Sequence, residues 1–268
     1  LSDFPAVFHG FDSPVNASFV ASSDQLNLRE ILAFDKLLAD STSEEISDFS
    51  IKLAFNTTGD QLSNFEHLPI GEFFVEDFFA KFNHYEHPFH DFHADVLIRE
   101  SQLELIDFSG QIDETDFHFS GMVDNYPKWF QPIKKGDSSF EFDFTSDILH
   151  PADLLTYQGV NYLPEEYSEE EFKDLKLHGK LDLHYDSTFQ SADFYLTELT
   201  TQMKIHPLKL EKFAGRIHYE AEHLQVENLS GKMGKSDFQM NLTWYIGEDS
   251  TLRKRDNVLE FTSQKLDL

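Results

Sequence analysis

Asp91–Phe119 reads DFHADVLIRESQLELIDFSGQIDETDFHF, and Lys212–Met240 reads KFAGRIHYEAEHLQVENLSGKMGKSDFQM. The two stretches align without a gap over 29 positions at an offset of 121. Six positions are identical: Phe92 with Phe213, Leu103 with Leu224, Ser109 with Ser230, Gly110 with Gly231, Asp116 with Asp237, and Phe117 with Phe238. Most of the rest keep only their apolar or polar character, as Val96 does with Ile217 and Phe119 with Met240. A fixed period with drifting side chains marks repeated structure.

A second motif has nearly the same period. Ser23-Asp-Gln-Leu26 precedes Glu30-Ile-Leu32, and Ser146-Asp-Ile-Leu149 precedes Asp153-Leu-Leu155, an offset of 123. Ser263-Gln-Lys-Leu266 opens a further copy 117 residues on. The expected organisation is one continuous β domain: 1–18 ends a preceding repeat, 19–139 and 140–258 are full repeats, and 259–268 starts a third. On this reading the chain is a slice of a longer array.

Around the repeats the chain alternates. Phe49, Ile51, Leu53 and Phe55 fall on one side of an extended backbone; Phe140, Phe142, Phe144 and Leu181, Leu183, Tyr185 do the same. Period two with one apolar and one polar face signals half-buried antiparallel strands. Asn56–Asp60, Asp113–Asp116 and Gly234–Asp237 read as turns between them. Helical signals are few. Asn27 followed by Glu30 resembles a cap before Leu28, Ile31, Phe34 and Leu38; a second short helix fits between Pro151 and Tyr157. The acidic run EEYSEEEFK, Glu165–Lys173, reads as a solvated helix or loop.

The chain has 268 residues and a formal charge of −28, from 49 acidic against 21 basic side chains. Such a field repels nucleic acid and anionic membrane surfaces. With 28 Phe and 40% hydrophobic residues the chain is not a disordered acidic tract. It has no cysteine, so disulfides and thiolate chemistry are excluded. No G-x-S-x-G, H-E-x-x-H or phosphate-gripping glycine loop occurs, so neither enzyme activity nor a cofactor is expected.

The run Gln102-Leu-Glu-Leu-Ile-Asp-Phe-Ser-Gly110, its partner His223-Leu-Gln-Val-Glu-Asn-Leu-Ser-Gly231 and the return strand Asp116-Phe-His-Phe-Ser-Gly121 together resemble the AsmA-like proteins of the Gram-negative envelope, in particular their long Bacteroidetes-type versions. The second return, Asp237-Phe-Gln-Met-Asn-Leu, lacks the closing glycine. The resemblance implies a mainly β fold, repeated antiparallel strands forming an elongated, strongly bent sheet or groove with a few short helices. It also implies a periplasmic protein anchored to the inner membrane by an N-terminal helix outside this chain. Its apolar groove would hold or conduct phospholipid acyl chains toward the outer membrane, with an outer-membrane protein as a partner.

Physical chemistry leaves two readings. A sheet with one apolar face must cover it, and so little helix leaves either a second sheet or an apolar ligand. The first alternative is a structural or adhesive β-repeat protein of the cell surface with a sealed core. For the groove, the expected inward residues are Val96, Ile98, Leu103, Leu105, Phe117 and Phe119 in the first copy. In the second copy they are Ile217, Tyr219, Leu224, Val226, Phe238 and Met240.

His84, His87, His90 and His93 recur every third residue in FNHYEHPFHDFHAD, Phe82–Asp95. No metal site is expected there. A strand splits the histidines between two faces, Pro88 interrupts a helix, and His84 with His90, or His87 with His93, are the pairs that remain. The second copy keeps a His-Pro step, His206-Pro207, but no other histidine. The run is therefore read as a junction: His87-Pro88 ends one strand and Phe89 to Ile98 begins the next.

Overall fold

The computed structural model describes residues 12–31, 45–63, 68–130, 133–205, 209–247 and 257–266. It is mainly β, as expected, with few short helices. The strands are β1 (Pro14–Asn27), β2 (Glu45–Thr58), β3 (Gly71–Phe82), β4 (Phe89–Ile98), β5 (Gln102–Ile112), β6 (Thr115–Asp124) and β7 (Lys134–Leu149). A small hairpin, β8 (Thr156–Tyr157) with β9 (Val160–Asn161), precedes β10 (Phe172–Met203), β11 (Lys209–Glu220), β12 (His223–Met233), β13 (Ser236–Tyr245) and β14 (Val258–Thr262). Apart from β8 and β9, the strands follow one another in sequence order through a single sheet that runs from β1 to β14.

Helix α1 (Leu28–Ile31) starts where the cap was expected: the Glu30 amide donates to Asn27 Oδ1 at 3.3 Å. Phe34 and Leu38 lie outside the described residues. The segment Asn56–Asp60 is not a tight turn. β2 continues through Thr58, whose hydroxyl donates to Asp60, and Gly59–Ser63 forms helix α2. Helix α3 (Pro151–Leu155) fills the second expected place, with proline at its first turn. The acidic run is a short 3-10 turn at Glu165–Tyr167 followed by irregular chain; Glu170 is buried, and β10 starts at Phe172. Among the described residues no helix is long and apolar enough to cross a membrane.

Two compact units make up the chain. One contains 1–99, 105–118 and 148–171, the other 100–104, 119–147 and 172–268. The division passes through β5, β6 and β7 instead of following the sequence repeats.

In the first unit β1, β2, β3 and β4 pair antiparallel in turn. Phe55 faces Phe73 and Phe73 faces Val96, while Gly71 faces Ile98. An aromatic row runs from Phe49 to Phe78, Phe92 and Phe117, each ring edge-on to the next at 6.0, 5.5 and 5.3 Å. Such pairs add about 0.5–1.5 kcal/mol beyond area burial. β4 begins at Phe89, as expected, but β3 already ends at Phe82, so the His87-Pro88 step lies within the connection and does not itself end a strand.

In the second unit β10 runs out and back. The Thr201 hydroxyl donates to Lys173 O at 3.0 Å, and Ser187, midway between them, has φ 66°. The returning half pairs with β11, and β12, β13 and β14 then add in order.

The 121-residue offset recurs in strand boundaries: β5 and β12 start at 102 and 223, β6 and β13 at 115 and 236. It recurs in backbone geometry too. Asp91 and Lys212 both take positive φ, 55° and 53°, one residue before Phe92 and Phe213. A left-handed residue inside a strand makes a bulge that re-aims the next side chains; the β11–β12 register shifts at this point. The re-aimed rings land on glycine. A Cβ on Gly110 would lie 2.9 Å from the Phe92 ring, and one on Gly231 2.7 Å from the Phe213 ring. From the next strand Phe117 and Phe238 close on the same rings edge-on, at 5.3 and 5.0 Å. Phe213, Gly231 and Phe238 thus form one row across β11, β12 and β13.

Gly231→Ala therefore lowers stability by about 1–3 kcal/mol, because the new methyl would lie 2.7 Å from the buried Phe213 ring and force it to shift. Urea unfolding checks this. Phe213→Leu combined with Gly231→Ala costs less than the sum of the two single changes, the signature of a shared clash.

Candidate functional site

The twelve expected inward residues divide between the units. Val96, Ile98, Leu105 and Phe117 lie in the first; Leu103, Phe119, Ile217, Tyr219, Leu224, Val226, Phe238 and Met240 lie in the second. Within the second unit the ladder brings six of them onto one face. Ile217 stands opposite Val226, Tyr219 opposite Leu224, and Met240 opposite Leu229, while Phe238 stands opposite Gly231. Phe119 instead joins the rings of Phe140 and Phe142, at 5.9 and 6.0 Å.

Only Ile98 and Val226 among the twelve are buried, at 7% and 6% exposure; the other ten are half-buried. A sandwich core would seal such residues between two layers. Further apolar side chains are exposed in this unit, including Phe261 at 54%.

The apolar face deepens into a trough of about 690 Å³ at β12, β13 and β14. Leu229, Phe238, Met240, Phe261 and Leu266 line it. Along it Phe238 stacks on Phe261, centroids 5.8 Å apart and 22° between planes. The volume lies in the range of small-molecule sites, about 300–1,000 Å³. Phe238 and Met240 were expected here. Leu229, Phe261 and Leu266 were not. Leu229 breaks the alternation set by Leu224 and Val226 because Asn228 is a bulge with φ 53°, which shifts the inward side by one residue.

One wall of the trough is held by a carboxylate. Asp237 Oδ1 accepts from the amides of Gln264 and Lys265 at 2.8 and 3.1 Å and from the Ser263 hydroxyl at 3.3 Å. Its counterpart Asp116 Oδ1 accepts from the Ile148 amide at 2.7 Å, so the identity of the two residues has a structural reason. The Lys265 and Gln264 amides hold the Asp237 carboxyl below its ordinary value.

The histidine run is drawn together differently from either expected pair. His87 Nδ1 lies 3.1 Å from Asp113 Oδ2 and 3.9 Å from Asp153 Oδ1. His90 bonds Asp91 through Nδ1 at 2.7 Å and the Asp113 carbonyl through Nε2 at 3.1 Å. His84 packs near Tyr157, rings 6.2 Å apart, and His93 is exposed on β4. His206 and Pro207 lie outside the described residues. No spacing in the sequence links His87 to Asp113 or Asp153; the turn after β5 and helix α3 bring them together.

A carboxyl depressed in the fold contributes stability that is complete above its unfolded pKa, near 3.9, and is lost as pH falls through the lower folded value. The protection factors of the Gln264 and Lys265 amides therefore hold at pH 5–7 and collapse below about pH 4. In Asp237→Ala they are already lost at neutral pH. Equal protection in the variant would contradict this role. Comparison of the chain with protein-family models, with curated proteins and with solved structures finds no match.

Proposed function

We propose that the apolar face of this sheet holds phospholipid acyl chains, as the resemblance to AsmA-like envelope proteins implies. The observation that carries the reading is the half-burial of ten of the twelve inward residues, with an open trough beside Phe238 and Met240. Each methylene removed from water there stabilises by about 0.8 kcal/mol, so a chain of ten or more methylenes binds without specific polar recognition. This matches a face kept apolar between repeats while individual residues change.

On this reading the protein is not an enzyme. It works in the periplasm, tethered to the inner membrane by a helix outside this chain, and passes lipid toward an outer-membrane partner. The net charge of −28 fits a protein that touches headgroup surfaces only through other parts.

Native mass spectrometry of a detergent-free preparation tests the proposal. It expects adducts with the masses of phospholipids, reduced several-fold in Met240→Glu and in Leu229→Glu, which place a charge in the trough. Lipid-free wild-type protein, or adducts indifferent to both changes, would overturn it.

A further inference from the structure

His87, Asp113 and Asp153 come from three separate segments of the first unit: the β3–β4 connection, the β5–β6 turn and helix α3. One donor atom from each lies within 4.8 Å of the other two. The two separations from His87 Nδ1, 3.1 and 3.9 Å, straddle the edge of about 3.4 Å that four donors at about 2.1 Å make around a tetrahedral ion.

Each donor is also set by contacts outside the triad. The second oxygen of Asp153 is occupied: it accepts from the Thr115 hydroxyl at 2.7 Å and lies 3.5 Å from His150 Nδ1, leaving Oδ1 toward His87. Thr115 is itself buried, at 1% exposure, and its oxygen accepts from the His150 amide at 2.9 Å. His150 Nε2 continues to Glu171 Oε2 at 3.3 Å. Asp113 is anchored through its backbone, its amide donating to Pro88 O at 3.0 Å and its carbonyl meeting His90 Nε2. Outer partners of this kind orient metal ligands in known sites. The Tyr85 hydroxyl donates to the Asp153 carbonyl and holds helix α3 at the site.

We infer that His87, Asp113 and Asp153 bind one divalent transition-metal ion of the Zn²⁺ kind, with water completing its coordination. One imidazole and two carboxylates suit such an ion better than Ca²⁺ or Mg²⁺, which prefer all-oxygen sites. Two carboxyl groups at one point offer the negative charge that a divalent cation offsets. Bound there, the ion ties together segments that are 26 residues apart from His87 to Asp113 and farther apart along the chain to Asp153. It acts as a clip at the junction where β4 begins. The inference does not depend on the lipid reading.

The test is calorimetric titration of the chelator-treated, dialysed chain with Zn²⁺, together with the visible absorption of Co²⁺ in its place. One ion per chain is expected, with a Co²⁺ spectrum that includes nitrogen ligation. His87→Gln and Asp153→Asn each weaken binding at least tenfold, while His178→Gln, a histidine paired with Asp143 in the other unit, binds as wild type. Zn²⁺ raises the unfolding temperature of wild type but not of His87→Gln. If Asp153→Asn fails to fold, His87→Gln decides alone. No saturable ion, or equal binding by wild type and His87→Gln, would overturn the inference by assigning any Zn²⁺ to scattered surface carboxylates.

Discussion

A phenylalanine ring resting on a glycine, twice, sets the geometry on which the rest of the sheet depends. Phe92 covers Gly110 and Phe213 covers Gly231. Each ring arrives there because the residue before it, Asp91 or Lys212, adopts positive φ and turns the strand. A left-handed residue that is not glycine is itself uncommon, so it persists here only because the contacts around it fix the backbone. The glycine admits the ring, and Phe117 or Phe238 closes on it from the next strand. The bulge, the glycine and the aromatic pair therefore form one device that keys three strands to a single register. Slipping by one residue would turn the apolar rows toward water. The identities at Phe92, Gly110 and Phe117 in the repeat are the parts of that device.

Much of this was legible in sequence, for a physical reason. Period-two alternation is local, so β4 from Phe89 to Ile98 and the turn at Asp113 could be read directly, and so could the Asn27 cap. What escaped reading was non-local or hidden by a bulge. Leu229 joins the inward row only because Asn228 interrupts the alternation. Gly59 looked like a turn residue, yet the chain forms helix α2 at that point. The approach of His87 to Asp113 and Asp153 depends on elements far apart in the chain, which histidine spacing does not register. The twelve groove positions illustrate both sides. Alternation placed six of them on one face in the second unit, but only the structure shows that most are half-buried and not sealed.

That half-burial is what ties the fold to the proposed lipid binding. A sheet of this composition normally hides its apolar side against a second layer, and among the described residues the short helices α1, α2 and α3, of four to five residues each, do not supply one. The apolar side chains instead cover one another in rows, as Phe119 does with Phe140 and Phe142 and as Phe238 does with Phe261. Ring-on-ring contact preserves the register while leaving outer edges available to a flexible apolar ligand. The acidic residues on the alternate positions, such as Glu141 and Asp143 between the phenylalanines of β7, keep the opposite face in water.

The most direct measurement is photo-crosslinking with a phospholipid that carries a diazirine on its acyl chain, with mapping of the modified residues. The account predicts crosslinks at Leu229, Phe238, Met240 and Phe261, and few at Gln239 or Lys232, which belong to the opposite face of the same strands. Crosslinks spread evenly over both faces, or none above the level of unfolded chain, would contradict it.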